Sequence, residues 1–465
     1  MLRLYDTATG RVRPLELRDP GRVSIYVCGP TVYEAPHLGH GRFALVFDVL
    51  RRYLTFAGLE VDYVSNVTDI DDHIIDRAAR EHRSEKEVAA EYEEQWWAAM
   101  DALDVLRPSE VPHATGYISG MVELIADLVT RGSAYETDDG VYLEVDTVPG
   151  YGLLARQPLE SLRAGARVEP TEQKRSPLDF ALWKKAKPGE PTWPSPWGDG
   201  RPGWHTECVV MSLALLGDGF DLHGGGQDLI FPHHENERAQ AVAEDRAFAR
   251  HWMHNGWVTV GGEKMSKSLH NFTTIAELVA RNDPRAYRLL VLRSHYRSPI
   301  EVTPETIADA EKGLERLDAL ARRLSLADPM ERALVVCAEA DSAASGPVDD
   351  DAVTRFCTHM DDDLDTPGAM AFVFDIVNRA HAAADAKETE TAARLGATVS
   401  LLCGALGLRL RGAVGHIDET TQRLVDERDA ARRERNFARA DALRDELAAA
   451  GWIVEDGPEG TVVRR

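Results

Sequence analysis

The chain has 465 residues, of which 44% are hydrophobic and 28% charged, and its formal net charge is −24; this length predicts about three or four domains. Because no apolar run reaches the roughly 18 residues needed to cross a bilayer, and residues 1–10 lack the apolar core of a signal peptide, the sequence predicts a cytoplasmic protein with no membrane contact. The five cysteines are few and widely spaced, which argues against a disulfide framework, and the acidic total argues against nucleic-acid binding except through a local basic stripe.

The first hundred residues predict a parallel sheet. Residues 23–28 have the apolar pattern of a buried strand, residues 42–56 that of an amphipathic helix, and residues 61–67 that of a second strand. A strand, a helix and a strand in this order form a βαβ unit, whose strands pair in parallel. A long helical stretch is predicted over residues 71–106, and it ends before Pro108.

The later elements divide the chain into further regions. Short strands, such as residues 141–145, and a segment rich in proline, glycine and tryptophan over residues 183–204 predict an insertion between two halves of the sheet domain. A strand over residues 220–223 resumes the sheet, and a helix is predicted to begin near Pro232. The chain is then largely helical to about residue 408, and residues 416–465 have the composition of a small separate module.

Two short polar motifs are candidates for phosphate chemistry. His37–His40 (His-Leu-Gly-His) lies at the head of the first predicted helix, and Lys264–Ser268 (Lys-Met-Ser-Lys-Ser) follows a strand predicted over residues 257–260. Imidazoles at a helix start and mobile ammonium groups suit the neutralisation of a triphosphate as it breaks. A lone basic loop is more often a solvated surface segment. The two motifs together predict ATP chemistry.

Five further motifs carry a specific resemblance. They are Tyr26–Tyr33, Asn66–Asp72, Gly203–Cys208, Phe231–Glu237 and the tail Glu455–Thr461. In order and spacing, these segments and the two polar motifs resemble the cysteinyl-tRNA synthetases, a class I family, over essentially the whole length. The resemblance implies ATP-dependent activation of L-cysteine to cysteinyl-adenylate, release of pyrophosphate, and transfer to the 3'-terminal ribose of tRNA(Cys). It also implies one Zn²⁺ per chain, and Mg²⁺ is expected to accompany ATP.

The resemblance implies an α/β fold divided into successive domains. A Rossmann-like catalytic domain with a parallel sheet is predicted over residues 1–110 and 204–260, with a connective insertion over residues 111–203. The resemblance further implies a region over residues 261–300 that holds the Lys264–Ser268 loop and contacts the tRNA stem. A helical bundle over residues 301–410 and a small anticodon-binding domain over residues 416–465 complete the prediction, and the chain is expected to be a monomer.

The zinc ligands implied by the resemblance are Cys28, Cys208, His233 and Glu237. Spacing alone does not reveal them, although His233 and Glu237 are four residues apart and would share a helix face. Without the resemblance, two buried cysteines and a surface His–Glu pair are the more ordinary interpretation. On sequence grounds the neighbouring His234 is an alternative ligand. Zinc binds thiolates strongly, so it would separate cysteine from serine by bond type rather than by shape.

The resemblance also assigns residues to ATP and to the amino acid. The catalytic candidates are His37, His40, Lys264 and Lys267. ATP binding is expected to use His37, Gly39, His40, Lys264, Ser266, Lys267 and Ser268. Cysteine and adenylate binding is expected to use Gly29, Thr31, Thr68, Trp204, His223, Gly226 and Asp228. Three positions depart from the family pattern: Leu38, where isoleucine is common; His73, where lysine is frequent; and His270, where glycine is usual.

A basic stripe near the end of the chain is the candidate RNA contact. Arg428, Arg432, Arg435 and Arg439 are spaced by four, three and four residues, which would place them on one face of a helix. The alternative is a solvated helix with interleaved acidic residues. Two rival functions remain at this point: a cysteine ligase that uses an amino-sugar acceptor, as in mycothiol synthesis, and a catalytically silent RNA-binding paralogue.

Overall fold

The computed structural model describes residues 2–157, 173–260, 263–264, 273–326, 348–412, 419–434, 436–450, 452–457 and 460–464. These residues belong to two compact units, Met1–Ala308 with Cys357–Ala369 and Asp309–Phe356 with Met370–Arg465. In the described part of the chain, no helix is both long and apolar enough to cross a membrane.

The first unit contains most of the strands. In chain order they are β1 (Arg3–Asp6), β2 (Arg11–Pro14), β3 (Arg22–Val27), β4 (Glu60–Ser65), β5 (Ala134–Glu136), β6 (Gly140–Leu143), β7 (Phe180–Lys185), β8 (Gly200–Pro202), β9 (Leu222–Gly226), β10 (His251–Asn255), β11 (Val258–Val260), β12 (Glu263–Lys264) and β13 (Ile300–Glu301). Its α-helices are α1 (Leu38–Phe56), α2 (Asp72–Glu81), α3 (Glu85–Ala102), α4 (Ile118–Thr130), α5 (Trp204–Leu216), α6 (Glu235–Ala243), α7 (Ile275–Val279) and α8 (Pro284–Leu292).

The central sheet has the order β10-β9-β3-β4, and every neighbouring pair is parallel. The helix α1 connects β3 to β4, so the predicted βαβ unit and the parallel α/β fold are confirmed. An antiparallel sheet β5-β6-β7-β8 lies in the sequence between β4 and β9, and a small sheet has the order β12-β11-β13. Ligands of open parallel sheets bind beyond the carboxyl ends of the strands. At this edge of the sheet, Cys28 directly follows β3, and Gly226 and Asn255 are the last residues of β9 and β10.

Two helix boundaries differ from the prediction for local reasons. The helix α1 begins at Leu38 rather than at residue 42 because His37 and His40 cap each other's backbone N–H groups. The long helical stretch predicted over residues 71–106 is two helices. His82 adopts a left-handed conformation with φ 54°, which ends α2, and Ser84 then caps α3. The apolar periodicity of the two helices did not reveal this short break.

A buried ionic cluster fixes α1 against α8. The carboxylate of Asp48 lies 2.8 Å from Arg52 Nε and 2.5 Å from Arg288 Nη1, and all three side chains are buried. It also accepts a hydrogen bond of 2.9 Å from the backbone N–H of Leu106. Although burial opposes ionisation, Arg288 and Arg52 hold the pKa of Asp48 below its usual value. The carboxylate is therefore charged at neutral pH and is shared by two buried guanidinium groups.

We expect Asp48→Asn to destabilise the first unit by about 3–5 kcal/mol, because it leaves two buried cations without a counter-charge. Denaturant unfolding at pH 7, followed by a probe of this unit, measures the loss. A surface pair such as Arg131 and Asp127, in which both side chains are 44% exposed, is the control, and Asp127→Asn should cost less than about 1 kcal/mol. Equal losses in the two variants would contradict the assignment.

The second unit is mainly helical. Its α-helices are α9 (Pro304–Leu324, whose first residues belong to the first unit), α10 (Asp350–Asp361, which ends in the first unit), α11 (Thr366–Asp385, which begins there), α12 (Thr389–Ala405), α13 (Glu419–Arg433) and α14 (Phe437–Ala449). The strands β14 (Ile453–Gly457) and β15 (Gly460–Arg464) form an antiparallel hairpin. Leu424, Leu443 and Trp452 belong to a small core formed by the last helices and this hairpin.

Candidate functional site

Four potential metal ligands meet at the carboxyl edge of the central sheet. Cys28 directly follows β3, and its backbone N–H donates to the carbonyl of Gly224 on β9. Cys208 lies in the second turn of α5, while His233 lies in the turn before α6 and Glu237 in the first turn of α6. All four side chains are buried. The fold therefore brings together all four predicted zinc ligands, which come from widely separated parts of the sequence.

The distances between these donors fit a four-coordinate ion. Cys28 Sγ lies 3.5 Å from both Cys208 Sγ and His233 Nε2, and 3.3 Å from Glu237 Oε1. His233 Nε2 and Glu237 Oε1 are 2.9 Å apart. Tetrahedral zinc with bonds of about 2.3 Å to sulfur and 2.0–2.1 Å to nitrogen or oxygen requires ligand separations of about 3.3–3.8 Å. The three separations from Cys28 Sγ fall within this range, whereas the shorter distance between His233 and Glu237 is that of a direct hydrogen bond. The donor types and the spacing around Cys28 are therefore consistent with zinc.

A second combination of ligands overlaps the first. Cys28, His223, His234 and Glu237 also have donor atoms within 4.8 Å of one another. The sequence alternative His234 is therefore close to the cluster, but its Nε2 is 3.9 Å from Glu237 Oε1, whereas the Nε2 of His233 is 2.9 Å away. Its Nδ1 lies 2.8 Å from His254 Nε2. Only the first combination contains both thiols.

Protons are unevenly distributed in this cluster. Burial opposes ionisation of both thiols, but the hydrogen bond donated by Cys28 lowers the pKa of Cys208 to about 6. Burial and the same bond raise the pKa of Cys28 well above its usual value. Burial likewise opposes charge on His233, yet Glu237 raises its pKa to about 10. Despite burial, the attraction of His223 and His233 holds the pKa of Glu237 well below its usual range.

The ligands are oriented by a surrounding set of hydrogen bonds. His205 Nδ1 lies 2.9 Å from His233 Nδ1, so one ring donates to the other and fixes its orientation. His223 Nε2 lies 2.8 Å from Glu237 Oε2, and the indole of Trp204 stacks on the His233 ring at 4.1 Å. His205 was not predicted as a site residue. Its position beside Trp204 in the segment Gly203–Cys208 was the available signal.

A cleft of about 470 Å³ opens beside the cluster. Nine predicted site residues line it: Cys28, Gly29, Thr31, His37, Gly39, His40, Trp204, Gly226 and Asp228. Tyr33, Phe43, Asp71, His73, Trp96, Leu229, Asn255, Gly256, Trp257 and Val258 also line it and were not predicted. Gly29 is required by close backbone approach, because a Cβ there would lie 1.7 Å from the carbonyl oxygen of Asn66. Three predicted ATP residues and five predicted cysteine residues thus share one cleft with Cys28 of the candidate metal cluster.

Two predicted pocket residues lie behind the cleft wall. Thr68 is buried, and its hydroxyl donates to Glu207 Oε2 over 2.7 Å. Burial and the neighbouring Cys208 raise the pKa of Glu207 well above its usual value. His223 is also buried; its Nε2 contacts Glu237 and lies 3.8 Å from Cys28 Sγ, and His223 itself does not line the cleft. Both residues would therefore act on a bound amino acid through other side chains.

The first polar motif forms the head of α1. The rings of His37 and His40 stack at 3.7 Å, and each Nδ1 accepts a hydrogen bond from the backbone N–H of the other residue. This reciprocal cap fixes the orientation of both rings on the cleft wall. Two departures from the family pattern are also explained here: Leu38 is buried, and His73 stacks on Tyr33 at 4.9 Å.

The segment that follows the second polar motif is hydrogen-bonded to the start of the first. The strands β12 and β11 pair through Lys264 and Thr259. After the motif, the carbonyl of Thr273 accepts from the backbone N–H of Leu38, and the N–H of Ile275 donates to the carbonyl of Pro36. The side chain of Lys264 and residues Ser266, Lys267, Ser268 and His270 lie outside the described residues. The segments on either side of the motif nevertheless belong to the same body as α1.

The predicted arginine stripe is wrong as a single helix face. The helix α13 ends at Arg433, and the side chain of Asn436 caps a new helix, α14, by accepting from the N–H of Arg439. Spacing across this break does not define a face. Arg428 is only 4% exposed and donates to the hydroxyl of Thr461 on β15, so it holds the small core.

The remaining arginines of the stripe do not share one environment on one helix. Arg439 pairs with Glu427 at 3.0 Å, Arg432 lies on α13, and Arg435 lies outside the described residues. The nearby Phe437 is 63% exposed, and no other bulky hydrophobic residue in the described part of the chain is more exposed. Phe437 was not predicted as a contact, because the arginine stripe was defined by charge alone.

Family models match three successive parts of the chain. The class I (C) tRNA synthetase catalytic domain matches residues 14–312, a DALR domain matches residues 355–411, and the cysteinyl-tRNA ligase anticodon binding domain matches residues 415–464. Among solved structures, Mycobacterium tuberculosis methionyl-tRNA synthetase in complex with methionyl-adenylate has a TM-score of 0.61 at 15% identity, covering 90% of this chain and 96% of that chain. The fold is that of a class I aminoacyl-tRNA synthetase.

Full-length relatives identify the family within this class of synthetases. The cysteine–tRNA ligases of Alkalilimnicola ehrlichii and Thioalkalivibrio sulfidiphilus are each 46% identical to the chain, and 100% of both chains is covered in each case. That of Geobacter sulfurreducens is 43% identical over 99% of this chain and 98% of its own length. The chain therefore belongs to the cysteine–tRNA ligase family, and the resemblance found in its motifs is confirmed.

Proposed function

We propose that the chain activates L-cysteine with ATP, releases pyrophosphate and transfers the cysteinyl group to the 3'-terminal ribose of tRNA(Cys). We further propose that it selects cysteine at a zinc ion held by Cys28, Cys208, His233 and Glu237. The observation that carries this proposal is the buried four-donor cluster, which adjoins the cleft lined by His37 and His40. The overlapping set with His234 is less suitable because it replaces a thiolate, a ligand that zinc favours, with an imidazole.

Selection is the chemical problem that the cluster solves. Serine differs from cysteine by one atom, and a pocket that recognises only shape separates such near-isosteres by roughly 10–200-fold. Zinc would supply a Lewis acid that binds and deprotonates the thiol of cysteine. The hydroxyl of serine has a much higher pKa, so it would not ionise and bind zinc in the same way. A discrimination of about 10⁴–10⁵, or about 5.5–7 kcal/mol, would make editing unnecessary.

Adenylate formation requires positioning and charge stabilisation rather than protein nucleophiles. The carboxylate of cysteine would attack the α-phosphorus of ATP and displace pyrophosphate. The imidazoles of His37 and His40 face the cleft, where they would contact the phosphates, and Gly39 allows close approach of the nucleotide. Lys264 and Lys267 would stabilise the pyrophosphate side, with Ser266 and Ser268 as further ATP contacts. Mg²⁺ is the expected counter-ion of ATP.

The amino-acid pocket would be formed by residues on the cleft wall and behind it. Gly29, Thr31, Trp204, Gly226 and Asp228 line the cleft and would contact cysteine or its adenylate. Thr68 and His223 would act indirectly. Thr68 orients the buried Glu207 beside Cys208, and His223 orients Glu237.

The proposed acceptor is tRNA. The match of residues 415–464 to an anticodon binding domain supports it, as do the names of the full-length relatives. Arg432, Arg435 and Arg439 remain RNA-contact candidates, and the exposed ring of Phe437 offers a surface on which a base could stack. The buried Arg428 would support this module rather than contact RNA. We also propose that the protein acts as a cytoplasmic monomer.

An acceptor assay tests this function. The zinc-loaded protein is incubated with ATP, labelled L-cysteine and either a tRNA(Cys) transcript or an amino-sugar acceptor. We expect label on the tRNA, sensitive to base as an ester should be, and none on the amino sugar. Cysteine-dependent pyrophosphate exchange followed by transfer to the amino sugar alone would instead establish the rival ligase activity. No cysteine-dependent exchange in the presence of zinc would contradict activation itself.

A further inference from the structure

Arg42 is a buried cation in the second turn of the helix that begins with the first polar motif. Its side chain is 1% exposed. The guanidinium donates to the main-chain carbonyl oxygens of Trp257 and Ser298, and to that of Tyr296 over 3.1 Å. These acceptors belong to two separate segments. One planar group therefore joins α1 to both of them.

The hydrogen-bond acceptors of Arg42 are all uncharged carbonyl groups. Two other buried arginines, Arg52 on α1 and Arg288 on α8, share the carboxylate of Asp48. Arg42 instead bonds neutral carbonyls, and burial lowers its pKa to about 10. A buried charge without a paired counter-ion is costly, and an apolar side chain would fill the same volume without that cost. A forked donor, however, can hold several carbonyls at fixed positions, which no apolar side chain can do.

One of the bonded carbonyls, that of Trp257, belongs to the cleft wall that leads to the second polar motif. Trp257 lines the cleft and immediately precedes β11, and β11 pairs with β12, where Lys264 lies. The carbonyl of Trp257 also accepts from the N–H of Ile300, which begins β13. Arg42 therefore fixes the segment that enters the motif. The segment that leaves it is bonded to Leu38 through the carbonyl of Thr273.

We propose that Arg42 is a positioning residue for adenylate formation: it fixes the spacing between the imidazoles of His37 and His40 and the strand that carries Lys264. This inference rests on the proposed function, because it assigns both motifs to the same ATP. Misplacement of reacting groups by about 1 Å costs roughly 100-fold in rate. Loss of the fork should therefore affect the rate of the ATP step more than the binding of cysteine.

The test compares Arg42→Lys with Arg52→Lys. Both changes keep a positive charge at a buried position of α1 and remove a guanidinium fork, but Arg52 bonds Asp48 and the carbonyl of Asp104, away from the cleft. Cysteine-dependent ATP–pyrophosphate exchange is measured with kcat and both KM values, corrected for the folded fraction. We expect Arg42→Lys to lower kcat by about 10–100-fold with the KM for cysteine changed less than about twofold. Arg52→Lys should leave kcat within about threefold.

Amide hydrogen exchange supplies a readout that does not depend on activity. In Arg42→Lys, the amides of β11 should exchange faster, while those of β9 keep their protection. In Arg52→Lys, both strands should retain their protection. Equal effects of the two variants on kcat and on β11 would overturn the positioning role. Wild-type protein that shows no cysteine-dependent exchange would instead overturn the proposed function, and the hydrogen-exchange comparison would still decide whether Arg42 fixes β11.

If Arg42→Lys does not fold, a second variant can displace the same segment through a substitution at Gly256. A Cβ on Gly256 would lie 2.6 and 2.7 Å from the carbonyl oxygens of Arg297 and Ser298. Gly256→Ala should therefore displace the segment that Arg42 holds and produce the same loss of kcat and of β11 protection. Unchanged kcat and protection in Gly256→Ala would contradict the inference.

Discussion

Cys208→Ser is expected to remove bound zinc and most of the preference for cysteine over serine. The change replaces a sulfur that lies 3.5 Å from Cys28 Sγ with a hydroxyl, and a hydroxyl is a poor zinc ligand because it does not ionise as a thiol does. Zinc should fall from about one per chain to an undetectable level after dialysis. The ratio of kcat/KM for cysteine and serine in pyrophosphate exchange should fall from about 10⁴–10⁵ to about 10–200.

The second unit provides a matched control for this variant. Cys403 is also a fully buried free cysteine, on α12. Cys403→Ser should keep its zinc and its preference for cysteine, even if it loses some stability. Zinc analysis and exchange kinetics on both variants separate the loss of a ligand from the loss of a buried thiol. Retention of zinc with unchanged discrimination in Cys208→Ser would contradict the ligand assignment.

His40→Asn is expected to lower the kcat of pyrophosphate exchange by about 10²–10³, equivalent to about 2.7–4 kcal/mol of transition-state stabilisation. The Nδ1 of His40 accepts the capping hydrogen bond from His37, and the amide oxygen of asparagine can take that place. The distal part of the ring, which would contact the phosphates, is removed. The helix should therefore remain capped while the contribution to the transition state is lost, and the KM for cysteine should change little.

His73→Asn provides the comparison within the same cleft. His73 also lines the cleft, but it stacks on Tyr33 and lies after the motif Asn66–Asp72 rather than in a phosphate motif. Its replacement should change kcat by less than about tenfold. An equal loss in both variants would indicate that any polar group in the cleft matters equally. A loss in His40→Asn accompanied by unfolding of α1 would show that the cap, not the imidazole, was removed.

The parallel sheet could be predicted because its signals are local. An apolar strand, an amphipathic helix and a second apolar strand follow one another within residues 23–67, and this order determines parallel pairing. The break at His82 could not be predicted in the same way, because a single left-handed residue interrupts two helices without changing their apolar period. The arginine stripe failed for a related reason, since the cap at Asn436 resets the helix phase before Arg439.

The candidate metal site could not be derived from spacing alone. Cys28 and Cys208 are separated by the predicted insertion, and only the pairing of β3 with β9 and the placement of α5 bring them together. The family resemblance, rather than any local pattern, identified the four ligand candidates. The roles of His205 and Arg42 depend on the directions of their ring and guanidinium groups, which a sequence does not encode locally. His205 lies within the motif Gly203–Cys208 and Arg42 lies two residues after His40, and both are proposed to act through the residues they hold.

Zinc X-ray absorption spectroscopy tests the central claim most directly, because it counts the sulfur atoms bound to the metal. The zinc-loaded protein is measured alone, with L-cysteine and with L-serine, in the absence of ATP. We expect two sulfur ligands at about 2.3 Å in the protein alone and with serine, and three with cysteine. A count that remains at two when cysteine is bound would show that the substrate thiolate does not reach the metal, and would contradict selection by coordination.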